Sequence, residues 1–445
     1  MLRTDWWGDV RMMKHADKIE DMISVFEPFP LMKDEDFEEF YVKTYAARGT
    51  DAVKHMALGL RHCSNAAMKI LFMGHRGSGK STELFLLKQE IEDQFEVINF
   101  FIEEEVDVDS MTYTDFIFAI MSQIVKYVEK KTLLHGILSE DIEALYKYWY
   151  EEKVFETVES ISGELETGFE AKLSFLKRIA VHGSGILRTG NETKLTIRRT
   201  MEPKIGYLIQ LMNQIITKIN ERSAKNGLVF IIEDLDKISI NVANEIFIKY
   251  RKVIFSIKTR MVLSFPIYMA YDAQYNMIKE DVDMCQMLSI IKVRDRNRSE
   301  FSEGINTLVE IVTKRANINL FSEKALHFMI LKSGGAIRDL FQMIRDAAFE
   351  ALVAERTQIG LEDAKTAYKK LKSEYERLIR NEVDVEKLIS IYEEPRPLTT
   401  DDTVMSLLLR GLILEYNGER WCGIHPAVED FLREKNKIGD IIVQR

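Results

Sequence analysis

Residues 74–82 read Gly74-His75-Arg76-Gly77-Ser78-Gly79-Lys80-Ser81-Thr82 and contain the pattern GxxxxGK[ST]. Glycines let the backbone curl so that its N–H groups can point at phosphate oxygens, and a helix starting behind the turn adds positive potential. In this pattern Lys80 is expected to reach the β- and γ-phosphates, and the Ser81 hydroxyl to hold Mg²⁺. The pattern therefore assigns residues 74–82 to nucleotide binding, with ATP and Mg²⁺ as the cofactors.

The sequence on both sides of this loop fits the same interpretation. The apolar run Ile70-Leu71-Phe72-Met73 has the length of a strand and ends at the first glycine of the loop. Residues 81–89 carry leucines at helical spacing. A strand before the loop and a helix after it are the context in which a phosphate loop works.

A second apolar run, residues 228–232, leads directly into Glu233-Asp234-Leu235-Asp236. A phosphate-loop enzyme needs one acid that holds Mg²⁺ and another that orients the attacking water. Two assignments are open: Glu233 serves the metal and Asp234 the water, or Asp234 takes the metal and Asp236 assists. We favour the first, which makes Glu233 and Asp234 catalytic and metal-binding candidates.

Further strands are predicted at 95–102, 261–265 and 287–293, with helical periodicity at 116–128, 142–150, 205–222 and 243–254. Strands that alternate with helices indicate βαβ units and a parallel sheet. The fold class is therefore α/β, with a parallel sheet sandwiched by helices.

Composition excludes several other classes of protein. The chain has 445 residues, 46% hydrophobic and 30% charged, as in a soluble globular protein of about three domains. A net charge of −10 provides no global basic field for nucleic acid. Three distant cysteines and the absence of HExxH argue against disulfides and zinc chemistry. With no signal peptide and no run of about 18 apolar residues, we expect a cytoplasmic protein without membrane contacts.

Residues 152–202 depart from this pattern. The stretch 166–200 holds seven Lys/Arg against three Asp/Glu, and Gly183 and Gly185 make a compact helical structure awkward. We interpret 152–202 as an insertion, part helix and part loop. It is the best candidate for contact with nucleic acid, although a solvated or partner-facing segment is favoured.

From Phe301 onward the apolar spacing is helical, and Pro395 and Pro397 mark a turn or linker before the tail. The tail is predicted as helix 403–409, strand 412–416, an Asn417-Gly418 turn, strand 420–424 and helix 427–435. Trp421 and Tyr416 would face each other across that turn. We favour their use in internal packing over an exposed interface.

Four segments resemble, in order, those of AAA+ and STAND ATPases, especially the origin-recognition clade. They are GHRGSGKST, FIIEDLD, the strand 261–265 with Pro266, and the stretch 333–340, SGGAIRDL. The resemblance implies a five-stranded parallel sheet, a helical lid and a C-terminal winged helix. It also implies that Ser264 and Arg338 are the two sensor residues near the γ-phosphate. An arginine acting on a neighbour's nucleotide could be Arg294, Arg296 or Arg298, and nothing local decides among them.

The predicted domains are a helical lead-in (1–45), an ATPase domain (46–295) with the insertion, a helical lid (296–380) and a winged-helix-like domain (381–445). The last has eight Lys/Arg against thirteen Asp/Glu. Because DNA affinity comes largely from Lys and Arg contacts to phosphates, this tail is a poor DNA reader. Deletion of residues 395–445 is expected to spare nucleotide binding but to remove contact with other copies or a protein partner.

Three functions remain open at this stage. The favoured one is an ATPase that couples nucleotide state to a protein effector or to a homo-oligomer. A DNA-bound initiator or loader is the alternative, and a nucleotide-binding scaffold with little turnover is a third. Resemblance further implies a prokaryotic regulatory ATPase that works beside a separate effector, in some cases in defence against phage.

Overall fold

A computed structural model describes residues 13–151, 167–189, 192–395, 401–416 and 421–439. The first part of the predicted insertion (152–166), the predicted Asn417-Gly418 turn and Pro397 lie outside the described residues. Within the described part, no helix combines the length and apolar character needed to cross a membrane.

Five parallel strands form one sheet with the order β2-β3-β4-β1-β5. Their bounds are β1 Lys69–Gly74, β2 Glu96–Phe101, β3 Leu228–Glu233, β4 Arg260–Phe265 and β5 Met284–Leu288. The three central strands are buried along their whole length. Leu71 and Met73 pack into one hydrophobic core and Ile70 and Phe72 into another. Strands covered on both faces require such continuous apolar runs, which is why the sequence signal was clear.

The fifth strand differs from its predicted bounds, 287–293. It pairs with β1 from Met284, opposite Ile70, to Leu288, opposite Gly74. The apolar residues after Leu288 are buried outside the sheet: Ile291 packs in the core of the C-terminal helices. Apolar character alone cannot distinguish a strand from a buried loop.

Helices cover both faces of the sheet, and several helices precede its first strand in the chain. Their bounds are α1 Ile19–Val25, α2 Asp34–Phe40, α3 Tyr45–Arg48, α4 Ala52–His62, α5 Lys80–Ile91, α6 Tyr113–Lys130, α7 Ser139–Glu151, α8 Phe169–Thr189, α9 Glu192–Met201, α10 Ile205–Arg222, α11 Ile240–Asn244, α12 Arg251–Phe255 and α13 Tyr275–Glu280.

The described part of the insertion is helical, although its glycines were expected to make a compact helical structure awkward. Helix α8 runs through both of its glycines without a break. A Cβ atom at Gly183 would collide with the ring of Phe118 on α6. The glycine therefore lets two helices approach closely, a role that a single sequence cannot separate from helix breaking.

The C-terminal region is helical up to a final hairpin. Its elements are α14 Ser302–Thr313, α15 Glu323–Lys332, α16 Ile337–Val353, α17 Leu361–Leu378, α18 Glu382–Glu393, α19 Asp402–Leu409, β6 Ile413–Tyr416, β7 Trp421–Ile424 and α20 Pro426–Glu434. Strands β6 and β7 are antiparallel, with Tyr416 opposite Trp421. These two rings stack at 4.3 Å and are buried, which confirms the internal packing predicted for them.

Candidate nucleotide site

A cavity of about 390 Å³ lies at the carboxyl ends of β1, β3 and β4. This is the edge of a parallel sheet at which α/β proteins bind ligands. The cavity collects residues from all four motifs found in the sequence. Its wall includes Arg76, Gly77, Gly79, Lys80, Ser81, Thr82, Glu233, Asp234, Ser264 and Arg338.

The phosphate loop takes a shape that only glycine adopts easily at two positions. Gly77 and Gly79 have φ angles of 80° and 95°, in the left-handed region. Helix α5 begins directly afterwards at Lys80, so its unpaired N–H groups lie at the cavity. The loop and the helix together form an anion-binding terminus.

Lys80 is buried and held by three oxygen atoms. Its Nζ donates to the carbonyl oxygens of Gly74 (2.9 Å) and His75 (2.8 Å), and it lies 2.9 Å from Oδ2 of Asp236. Burial raises the pKa of Asp236, but the charge and hydrogen bond of Lys80 outweigh it and hold that pKa below its usual range. Asp236 entered the sequence analysis only as an alternative catalytic acid, and its pairing with Lys80 was not predicted.

Glu233 ends β3 and is 1% exposed. Neither of its carboxylate oxygens has a hydrogen-bond partner among the described residues. Burial raises the pKa of Glu233 to about 8, and the charge of Asp234 adds to the effect, while Ser81 and Asn99 oppose it. Ser81 and Asn99 lie near enough to lower the pKa, but neither forms a well-aligned hydrogen bond with Glu233, and a buried acid of this kind is costly unless a cation completes the site.

Asp234 follows in a left-handed conformation, with φ of 69°. Its Oδ1 lies 2.6 Å from Nζ of Lys237, whereas its Oδ2 is buried and without a partner among the described residues. Burial raises the pKa of Asp234 to about 6, although the charge of Lys237 acts against the rise. Lys237 also lies 3.1 Å from Oε2 of Glu103, another acid of the cavity wall.

The donor set at this edge suits Mg²⁺. Hydroxyl and carboxylate oxygens are its preferred ligands, and it usually keeps several waters beside one or two protein carboxylates and substrate phosphates. Ser81 and Glu233 provide such oxygens at one place. No group of three or more Asp, Glu, His or Cys side chains in the described ranges could hold a metal alone. A metal here would therefore depend on nucleotide and water oxygens.

The two sensor candidates both reach the cavity. Ser264 is 2% exposed near the end of β4, and its Oγ accepts a hydrogen bond of 2.9 Å from the Leu235 N–H. Arg338 lies in the first turn of α16, which packs on the loop, and its backbone N–H donates to the Gly77 carbonyl at 3.4 Å. A Cβ atom at Gly77 would lie 2.7 Å from that of Arg338, so only glycine admits this contact.

Arg338→Ala is expected to lower ATP turnover by about tenfold, since a charge-assisted hydrogen bond contributes ~1.4 kcal/mol or more. Helix α16 should also lose nucleotide-dependent protection in hydrogen exchange. Arg345→Ala is the matched control, because Arg345 lies on the same helix but donates to the Ile23 carbonyl and lines no part of the cavity. If Arg338→Ala matches the control in turnover and protection, Arg338 is not a sensor.

The lead-in contributes one wall of the cavity, which sequence reasoning missed. The wall contains residues of two loops and of α3, among them Phe29, Leu31, Tyr41, Thr44 and Arg48. The buried Arg48 donates to the carbonyl of Ser78 at 2.6 Å, and burial lowers its pKa to about 10. The N–H of Leu31 donates to Oγ1 of Thr82 at 3.2 Å. No local sequence pattern predicts these long-range contacts.

Three residues of the predicted phosphate loop do not line the cavity: Gly74, His75 and Ser78. The His75 side chain is 2% exposed and faces the C-terminal hairpin, where its Nε2 accepts a hydrogen bond of 2.8 Å from the Glu415 N–H. Burial lowers the pKa of His75 to about 3, and the charge of Lys80 contributes. The imidazole is therefore neutral.

Two of the three arginines considered for action on a neighbour's nucleotide contact the tail of their own chain. Arg294 lies 3.7 Å from Glu429 of α20. The guanidinium of Arg298 lies 3.6 Å from the ring centre of Tyr392 and donates to its carbonyl at 2.6 Å. In this conformation both arginines hold the C-terminal helices.

No protein-family model and no curated protein matches the chain. Among solved structures, the Walker-type ATPase of Pyrococcus abyssi aligns over 92% of this chain and 99% of its own, at 12% identity and a TM-score of 0.45. The ORC2 protein of Aeropyrum pernix, in ADPNP-ADP complexes, aligns over 93% and 98%, at 10% identity and 0.43. The ORC1 protein of Aeropyrum pernix, in complex with DNA, aligns over 93% and 96%, at 10% and 0.40. No residue role in this chain rests on these similarities.

The fold itself is decided by the arrangement of the motifs on the sheet. The phosphate loop follows β1, the acidic strand end belongs to β3, and Ser264 lies on β4 between them. Helix α16, which contains Arg338 and belongs to the C-terminal region, packs on the phosphate loop. The chain therefore has an α/β phosphate-loop fold, with a five-stranded parallel sheet covered by helices and a helical C-terminal region.

Proposed function

We propose that this protein is a Mg²⁺-dependent ATPase that couples its nucleotide state to a protein partner or to further copies of itself. The observation that carries the proposal is the convergence of the phosphate loop, two buried carboxylates and Arg338 on one cavity of about 390 Å³. Loop, acids and arginine are the groups that phosphoryl transfer to water requires.

The chain's own groups divide the work as follows. The loop N–H groups and the α5 terminus bind the phosphates, and Lys80 exchanges its contact with Asp236 for the β- and γ-phosphate oxygens. Ser81 and Glu233 would hold Mg²⁺, which would supply charge neutralisation at the phosphates. Asp234 orients the attacking water through Oδ2, the oxygen that Lys237 leaves unpaired. Arg338 stabilises charge at the γ-phosphate.

This division follows the first of the two assignments for the acidic strand end. Glu233 lies at the strand end beside Ser81, where its unpaired oxygens suit a cation. Asp236, which the second assignment would use, is engaged with Lys80 at 2.9 Å. Because both carboxylates that hydrolysis needs are present, a scaffold without turnover is disfavoured.

A DNA-binding role loses its main sequence argument, which was the basic insertion. Four of the seven Lys and Arg residues in 166–200 pair with acids of the preceding segment and helices. The pairs are Lys172–Glu143, Lys177–Glu129, Lys194–Asp107 and Arg198–Asp115. Cations used in this way are not available to release counterions from DNA.

The test combines ATP turnover with molecular mass, each measured with and without duplex DNA at low salt. We expect Mg²⁺-dependent turnover that DNA leaves unchanged within about twofold, because the tail is acidic and four cations of the insertion are already paired with acids. Fluorescence anisotropy of labelled duplex DNA serves as the direct binding control. Turnover that rises with DNA and falls with salt would establish the initiator or loader instead.

A further inference from the structure

The side chain of His75 belongs to the phosphate loop in sequence but to the C-terminal hairpin in contact. Its backbone carbonyl accepts from Lys80, whereas its ring points the other way and accepts from the Glu415 N–H at 2.8 Å. Glu415 lies in the middle of β6 and is 1% exposed. His75 therefore contacts both Lys80 and the C-terminal hairpin β6–β7.

The same strand is anchored at the end of β4. Oε2 of Glu415 accepts a hydrogen bond of 2.5 Å from the hydroxyl of Tyr271. Tyr271 ends the 3₁₀ turn Ile267–Tyr271 that follows the strand carrying Ser264. Both partners are buried, so separating them would leave polar groups unpaired at a cost of about 1–3 kcal/mol each.

The neighbours of Glu415 contact the start of the Arg338 helix. The Tyr416 hydroxyl donates to the carbonyl of Gly334 at 3.3 Å. Gly334 has a φ angle of 61°, and a Cβ atom there would lie 2.9 Å from Cδ1 of Leu414. Three consecutive residues of β6 therefore touch the segment before the Arg338 helix, the phosphate loop and the turn after β4. The Arg338 helix, the phosphate loop and β4 each also contribute residues to the nucleotide cavity.

We propose that His75 is a positioning residue that docks the C-terminal hairpin on the phosphate loop, so that hairpin docking and nucleotide binding are coupled. The inference rests on the proposed nucleotide binding. When Lys80 binds a phosphate, it gives up its hydrogen bonds to the carbonyls of Gly74 and His75. The backbone of His75 then shifts, and its ring, which accepts from the Glu415 N–H, moves with it. Linkage requires that docking strengthens binding by the same factor by which binding strengthens docking.

The hairpin is then not a separable module, contrary to the expectation that deleting residues 395–445 spares nucleotide binding. Deletion would leave His75 and Tyr271 without their partners on β6 and would uncover the lid glycine. Point variants test the coupling more cleanly than truncation, because they keep the chain complete.

The test compares His75→Leu with His75→Gln in the full chain. Leucine fills the space but has no acceptor for the Glu415 N–H, while the glutamine amide oxygen can replace Nε2. We expect His75→Leu to weaken ATP binding about tenfold by calorimetry, within the range of coupling between sites, and His75→Gln to restore most of it. Tyr271→Phe removes the hydrogen bond to Glu415 without changing a residue of the phosphate loop, and it should also weaken ATP binding.

Hydrogen exchange of the unmodified protein gives a readout that does not depend on any variant. Adding ATP should slow exchange of the amides of residues 413–416, and His75→Leu should remove that protection. Nucleotide binding that leaves these amides unchanged would overturn the coupling while leaving the proposed function intact. Equal ATP affinity of His75→Leu and the wild type would also overturn it. A wild-type chain that binds no ATP would overturn the proposed function and this inference with it.

Discussion

Asp234→Asn should reduce ATP turnover by about 1000-fold while Mg·ATP remains bound. The amide cannot accept a proton from water, and general-base groups contribute roughly 10²–10⁴-fold to such reactions. Asp234 suits this role because Oδ1 is fixed by Lys237 at 2.6 Å and Oδ2 is left for the water. Single-turnover hydrolysis and calorimetric ATP binding, measured on the same preparation, separate the chemical step from affinity.

Two companion variants make this result specific. Glu233→Gln should raise the Mg²⁺ concentration needed for half-maximal turnover more than Asp234→Asn does, because Glu233 holds the metal. Asp109→Asn, an exposed acid outside the cavity, should behave as the wild type. If Asp234→Asn is the variant with the larger shift in Mg²⁺ dependence, Asp234 holds the metal, as in the second assignment.

Lys80→Ala should weaken Mg·ATP binding about 100-fold, or ~3 kcal/mol, the upper range for hydrogen bonds to charged groups. The ammonium lies at the loop, at hydrogen-bonding distance from two of its carbonyls, and no other lysine of residues 74–82 could replace it. Isothermal titration with ATP in excess Mg²⁺ measures the change. Affinity equal to that of the wild type would disprove the assignment of the site.

The Lys80–Asp236 pair complicates this variant and also provides its control. Both side chains are below 10% exposed, so Lys80→Ala leaves a buried carboxylate unpaired and should destabilise the protein by about 3 kcal/mol. Lys80→Ala combined with Asp236→Asn removes that charge. The double variant should recover most of the thermal stability without recovering ATP affinity. Recovery of both would mean that the lost binding came from unfolding.

Much of the nucleotide site could be predicted because its motifs are local. The loop 74–82 and the acidic strand end each lie within nine residues, and each follows a buried strand whose apolar run is plain in the sequence. Ser264 and Arg338 were identified by resemblance, and the structure brings both to the cavity. Their roles in hydrolysis stay predictions until the variants are measured.

Other features were wrong or missing because they depend on residues far apart in the chain. Gly183 was expected to make a compact helical structure awkward, although it lies within a helix and gives room to Phe118, 65 positions earlier. The basic insertion was the best candidate for contact with nucleic acid, although a solvated or partner-facing segment was favoured. In the structure four of the seven cations in 166–200 pair with acids on α6 and α7 and in the loop before α6. Neither outcome can be inferred from composition, since pairing depends on where helices pack.

The sequence by itself determined the parallel sheet, the phosphate loop and the two acids, because strand periodicity and loop chemistry act over a few residues. Tertiary structure alone decided which acid pairs with Lys80 and that the lead-in walls the cavity. It also decided that His75 turns from the cavity to Glu415, 340 residues away. The physical reason is that a buried polar group must find a partner, and the partner is chosen by the fold rather than by neighbours in sequence.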